Sequence, residues 1–173
     1  MSEITFTALA RGAPKGSVRP IKRRDGSVYL QPTAGASLRD FESAVQLAAW
    51  SEMIDKEPWL EPISVRARFY FHRPASHYGT GKNRKRLKPS APIMPCNRAQ
   101  GDVDKLARAL LDAMTGVVFR DDSQVAELEL SKRWTRDGPE RVEVEAWQNE
   151  GVELVSVEGA GGAETSRQME GPG

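Results

Sequence analysis

From Gly101 to Val125 the chain reads Gly101-Asp102-Val103-Asp104-Lys105-Leu106-Ala107-Arg108-Ala109-Leu110-Leu111-Asp112-Ala113-Met114-Thr115-Gly116, then Val117-Val118-Phe119-Arg120-Asp121-Asp122-Ser123-Gln124-Val125. Val103, Leu106, Leu110 and Ala113 or Met114 fall on one face at helical spacing, and Gly116 ends the pattern. This predicts a helix over Asp102–Thr115, with Asp102 or Asp104 in a first turn where the helix dipole favours a carboxylate. Before it, Ile63 to Phe71 alternates Ile63, Val65, Ala67, Phe69 and Phe71 with Ser64, Arg66, Arg68 and Tyr70, which predicts a strand with one face on the core. After it, Val125–Trp134 and Arg141–Trp147 read as two strands joined by a turn at Arg136, Asp137, Gly138 and Pro139. Toward the N-terminus, Leu38–Ile54 carries Phe41, Val45, Leu47, Ala48, Trp50 and Ile54 near helical spacing, ahead of Pro58. Ser27–Leu30 reads as a short strand, and Ile4, Phe6 and Ala8 as another. The expected fold is α+β: a mostly antiparallel mixed sheet with two helices packed on one face.

The chain's 173 residues suit one domain of ordinary size, expected over residues 1–148. From residue 149 onward Gly, Ser, Glu and Ala dominate, and a disordered Gly/Glu-rich tail is expected over 149–173. The single Cys96 excludes a disulfide framework or a Cys-cluster zinc site, and fits a reducing, cytoplasmic compartment. No stretch approaches the roughly 20 apolar residues of a membrane helix. Met1–Arg11 lacks a charged region before a long apolar run, so no signal peptide is expected.

The net charge of +1 hides an asymmetry, +9 over residues 1–108 and −8 over residues 109–173. Such a basic half points to a polyanionic partner. Arg11, Lys15, Arg19, Lys22, Arg23 and Arg24 form one run without an acid, where Pro14, Gly16 and Pro20 break any helix. A second acid-free run, from Arg73 to Gly101, holds Arg73, Lys82, Arg84, Lys85, Arg86, Lys88 and Arg98, with Tyr78 among them as a candidate for stacking on a base. It reads as one long loop, and loops of that length inside a domain are either functional or disordered. Phosphate contacts would relieve the repulsion between these side chains and release counterions. No Gly-rich phosphate loop of the Walker or Rossmann kind is present.

Asp102, Asp104, Asp121 and Asp122 bracket the helix. Clustered carboxylates repel one another unless a cation relieves them, and hard oxygen ligands suit Mg²⁺. A divalent ion beside basic loops suggests phosphodiester hydrolysis, in which the metal activates water and neutralises charge on the phosphate. Taken singly, each motif also has an ordinary structural explanation, because Asp is a common N-cap and a double Asp a common turn. Asp112 follows Arg108 by four residues and Arg108 follows Asp104 by four, so Asp112 is expected to be structural, within an ion-pair ladder. His72 and His77, the only histidines, are expected at a strand end and in the loop, away from the aspartates. Trp50, Trp59, Trp134 and Trp147 are expected in the core or at a subunit interface, and Cys96 to be incidental. Glu127, Glu129, Glu143 and Glu145 alternate along the last two strands and are expected to face solvent, one of them within possible reach of Asp122.

The spaced pattern of Asp102-x-Asp104, the Asp112-Ala113-Met114 run and Asp121-Asp122-Ser123-Gln124-Val125 resembles the RusA family of Holliday-junction resolvases. The Gly12-Ala13-Pro14-Lys15-Gly16 to Arg19-Pro20 stretch is similar to that family's N-terminal basic loop, and the insertion from His77 to Pro95 to versions carried by phages of actinobacteria. The resemblance covers most of residues 4–147. It implies a small homodimer of α+β fold that nicks four-way DNA junctions symmetrically with Mg²⁺ or Mn²⁺, with no small-molecule cofactor and no membrane association. It places metal-binding aspartates at Asp102, Asp104 and Asp122, with Asp121 as the alternative third ligand. The family's essential lysine falls at Arg108, whereas Lys105 stands where the family carries asparagine. Arg108 can clamp a phosphate but does not readily release a proton, so either Arg108 or Lys105 would supply the transition-state charge. Lys15, Arg19, Lys22, Arg23 and Arg24, with Lys82, Arg84, Lys85, Arg86 and Lys88, are the expected DNA contacts, gripping backbone rather than reading bases. Two other functions fit the same residues: a non-catalytic protein that binds branched DNA, favoured by Arg108, and a broader nuclease acting on forks or flaps.

Overall fold

The computed structural model describes residues 2–15, 18–22, 27–32, 36–136 and 138–149. In chain order the elements are β1 (Glu3–Ala8), β2 (Val18–Lys22), β3 (Val28–Pro32), α1 (Ala36–Glu52), β4 (Ile63–Phe71), α2 (Val103–Met114), β5 (Val125–Trp134) and β6 (Arg141–Gln148). Strands order as β1-β6-β4-β5 in one sheet. The β1–β6 and β6–β4 pairings are antiparallel, and β4–β5 is parallel. A parallel neighbour needs a crossover, and the chain from His72 through α2 provides it. The result is the expected α+β fold.

Burial alternates along β4 and β6, as a sheet with one covered face requires. Val65, Ala67, Phe69 and Phe71 of β4 and Val142, Val144 and Ala146 of β6 point into the core, where α1 supplies Leu38, Phe41, Val45, Ala49 and Met53. The α2 helix buries Leu106, Ala109, Leu110, Ala113 and Met114, the i, i+3, i+4, i+7, i+8 stripe of a one-faced helix. Each large side chain of that stripe contributes about 1.5–3 kcal/mol by leaving water.

The open face of the sheet is an ion-pair ladder. Arg66 lies 2.7 Å from Glu129 and 3.1 Å from Glu145, Arg68 lies 2.9 Å from Glu145, and Arg141 lies 2.9 Å from Glu143. Glu127 accepts a hydrogen bond from the buried Ser64 hydroxyl at 3.0 Å. All four strand glutamates therefore have partners on the sheet.

Several expectations change. The basic run at 11–24 is not wholly a loop, since β2 pairs with β3 as a separate antiparallel ribbon that includes Pro20 opposite Leu30. A two-stranded ribbon has only edges, where a missing N–H is tolerated. Leu47, Trp50 and Ile54 of the α1 region point outward, with Trp50 60% exposed, because the core side of that helix is the 38–41–45–49–53 stripe. Of the other tryptophans, Trp59 is buried, while Trp134 and Trp147 are half-buried. The Arg73–Gly101 run is folded rather than featureless. It makes short 3₁₀ turns at Ala75–His77, Gly81–Asn83 and Arg98–Gln100, and pairs Tyr78 with Leu87 across a hairpin. The expected tail, beyond Asn149, lies outside the described residues. No helix among the described residues is long and apolar enough to cross a membrane.

Candidate active site

Gly101 adopts φ 71° and ψ 166°, a conformation open almost only to glycine. A Cβ there would stand 2.8 Å from Cγ of Pro14, so the Gly12–Lys15 segment packs directly on the entry to α2. Lys15 N–H donates to the Lys105 carbonyl at 3.1 Å, and Lys132 Nζ donates to the Gly101 carbonyl at 2.8 Å. These contacts fix the backbone from which Asp102 and Asp104 project.

Asp102 is the N-cap of α2, but its side chain makes no cap bond. Its Oδ2 instead lies 3.0 Å from Lys105 Nζ. The Lys105 ammonium, helped by Lys132 and Arg98, holds the Asp102 carboxyl below the usual carboxylate range. Pro14, Arg98, Gly101, Asp102 and Lys105 line a small cleft there. Asp104 and Arg108 are both exposed and, among the described residues, neither forms an ion pair or side-chain hydrogen bond. The expected Asp104–Arg108–Asp112 ladder does not form, because Asp112 is taken by Lys15, whose side chain runs beside the helix to reach it.

At the other end of α2, Thr115 Oγ1 donates to the Leu111 carbonyl at 2.9 Å, and Gly116 turns the chain with φ 77°. The chain then enters the Asp122–Gln124 3₁₀ turn. Asp121 caps that turn, its Oδ1 accepting from Ser123 N–H at 2.9 Å, and this lowers its carboxyl from the usual range. Gln124 completes a capping box, its Oε1 accepting from Asp121 N–H at 2.9 Å. Gln124 Nε2 also donates to the carbonyls of Trp59 and Glu61, at 2.9 and 3.1 Å, which ties the double aspartate to the loop before β4. Asp122 is exposed and makes no side-chain hydrogen bond or ion pair among the described residues. It opens into a depression shared with Asp112, Lys15, Glu42 and Gln46.

The aspartates thus form two groups. Asp102 and Asp104 stand at the start of α2, while Asp122 follows its end and shares a depression with Asp112 of its last turn. No three His, Cys, Asp or Glu side chains gather closely enough to hold one ion among the described residues. The donor chemistry nevertheless fits a hard divalent cation, since exposed, unpartnered carboxylates are its preferred ligands.

The expected DNA contacts scatter. Lys15 is engaged by Asp112. Arg19 and Lys22 lie on β2, while Arg23 and Arg24 fall outside the described residues. Lys82, Arg84, Lys85 and Arg86 are exposed at the tip of the 78–87 hairpin, and Lys88 Nζ donates to the Ser76 carbonyl at 2.8 Å. His72 is exposed, His77 packs edge-on against Trp134, and Cys96 is exposed and free. Sequence reasoning gave no role to Gln124, Glu42 or the Gly101–Pro14 contact. Gln124 carried a signal, its fixed place after the double aspartate, but its partners at 59–61 are distant in sequence.

A family model described as endodeoxyribonuclease RusA matches residues 11–146. The chain is also 29% identical over 148 residues to "Uncharacterized protein YqaN" of Bacillus subtilis (strain 168), covering 83% of this chain and 95% of that protein.

Proposed function

The chain belongs to the RusA endodeoxyribonuclease family and is a hydrolase of DNA phosphodiester bonds; on that premise we propose that it resolves four-way DNA junctions by symmetric nicking, with Mg²⁺ or Mn²⁺, as a homodimer in a bacterial cytoplasm. The observation that carries this reading is that Asp104 and Asp122 are exposed carboxylates which, among the described residues, make no ion pair or side-chain hydrogen bond. Asp102, Asp104 and Asp122 would hold a divalent ion, which would supply water activation and charge neutralisation at the phosphate.

Among the described residues, Asp102, Asp104 and Asp122 of one chain do not gather into a group that could hold an ion. In the proposed homodimer, Asp102 and Asp104 of one subunit would share an ion with the partner subunit's Asp122. The dimer also yields two equivalent sites for two opposed strands. Asp121 caps its turn through Oδ1 and so holds the backbone of Asp122, which supports Asp122 rather than Asp121 as the third ligand. Lys105 neutralises Asp102 and orients it. Arg108, exposed one helical turn after Asp104 and without an ion pair among the described residues, would grip the scissile phosphate, a role Lys105 could also take.

The test is cleavage of a labelled four-way junction against linear duplex and a flap, in Mg²⁺, Mn²⁺ and EDTA. Paired nicks confined to the junction and lost in EDTA are expected, and Asp104→Asn abolishes them while binding persists. Cleavage of flaps and forks at the junction rate would replace the resolvase with a broader nuclease. Binding without cleavage in either metal would leave a branched-DNA-binding protein, and wild-type cleavage by Asp104→Asn would remove Asp104 from the site.

A further inference from the structure

The folded Arg73–Cys96 lobe borders a groove whose described lining includes none of the candidate aspartates. Trp134, at the end of β5, anchors it: Arg73 lies 5.0 Å over the indole, His77 packs edge-on at 5.3 Å, and the indole N–H donates to the Pro92 carbonyl at 3.1 Å. Arg73 donates to that same carbonyl at 2.8 Å. Between lobe and strand runs a groove of about 620 Å³. Its apolar wall is made by Tyr78, Leu87, Ile93 and Trp134, with Ile93 89% exposed. Its cations are Arg73, Lys88, Arg133 and Arg136, and none of the described residues lining it is acidic. The hairpin that pairs Tyr78 with Leu87 also carries the exposed Lys82, Arg84, Lys85 and Arg86.

A patch that only gripped duplex backbone would need cations but no apolar wall. A protein-binding apolar groove would not need cations on every side. An apolar, aromatic wall rimmed by cations without carboxylates matches an unpaired nucleotide, with its base on the wall and its phosphates on the rim. We infer that this groove binds single-stranded DNA, holding at least one unstacked base of a strand exposed beside the branch. The inference rests on the DNA-processing reading for its ligand, yet its test needs no cleavage.

The test is fluorescence anisotropy, in EDTA and at fixed salt, with a labelled oligo-dT strand of about 12 nucleotides and an abasic strand of the same length. The wild-type protein is expected to bind oligo-dT at least about fivefold tighter than the abasic strand, since stacking on an aromatic side chain is sequence-tolerant but requires a base. Tyr78→Ala and, independently, the fully exposed Ile93→Asp should collapse that difference, whereas Tyr78→Phe should keep it. Arg136→Glu should weaken both strands alike. Thermal unfolding of each variant shows whether it is folded, and Ile93→Asp carries the test if Tyr78→Ala is not. Equal affinity of the wild-type protein for the two strands would reduce the groove to a phosphate patch and overturn the inference. A discrimination that survives both Tyr78→Ala and Ile93→Asp would place the base elsewhere and overturn it too. A protein that discriminates the strands but nicks no junction keeps this site and loses the resolvase. One that nicks without discriminating does the reverse.

Discussion

Replacing Gly101 by alanine should be among the most damaging single-methyl changes in this molecule. The backbone at φ 71° and ψ 166° lies in a region nearly closed to residues with a Cβ, at a cost of about 1–3 kcal/mol. The new Cβ would also meet Pro14 Cγ at 2.8 Å and Cβ at 2.9 Å, closer than real contacts allow. Pro14 cannot rotate away, because it sits on a segment held by the buried Ala13 and by the Lys15 N–H on Lys105. Overpacking of this kind costs about 1–3 kcal/mol more, so about 2–6 kcal/mol is expected. Gly116→Ala is the internal control: its φ is 77° but nothing lies within 4 Å of the new Cβ. That change should cost only about 1–2 kcal/mol, the left-handed penalty alone. Urea unfolding of both variants, read as the change in midpoint at constant slope, isolates the Pro14 contact. Gly101→Ala combined with Pro14→Ala should recover part of the loss. A Gly101→Ala variant no less stable than Gly116→Ala would refute the packing of the N-terminal segment on the entry to α2. The assigned position of Asp102 would then fall with it.

Mixed dimers of Asp104→Asn and Asp122→Asn should regain single-strand nicking that neither variant has alone, because one of the two sites is then wholly wild type; no recovery would put all three aspartates in one chain. Gln124→Ala removes three hydrogen bonds around the double aspartate at about 0.5–1.5 kcal/mol each. It should lower both urea stability and nicking, and unchanged nicking would deny that this side chain positions Asp122. Asp121→Asn should retain most cleavage while Asp122→Asn loses it, a contrast read directly on junction gels. Arg68 and then Arg66 hold the Glu145 carboxyl below the usual range, so their contribution is present above that range and is lost as pH falls through the depressed value. Wild-type stability should therefore drop more steeply below about pH 4.3 than that of Glu145→Gln, and parallel urea-unfolding curves would refute the ladder.

The sequence by itself determined the elements of the main sheet and both helices, though not β2, and the chemistry they carry. Period-two alternation at Ile63–Phe71 and one-faced spacing at Val103–Met114 are local properties of the chain, and both elements appear where that spacing puts them. The spaced aspartates, and with them the family, were likewise legible, because a motif is a fact of order along the chain. Distances across the fold were not. Leu47 and Trp50 satisfy helical spacing as well as Phe41 and Val45 do, and only the position of the sheet decides which stripe is buried. Asp112 was equally placed to pair with Arg108 or with Lys15, ninety-seven residues away in sequence, and tertiary packing chose Lys15. The same holds for the aspartates on either side of α2. Their order in the sequence brackets one helix. The turn at Gly116 and the Gln124 bonds to the Trp59 and Glu61 carbonyls, not the order of residues, set where Asp122 lies.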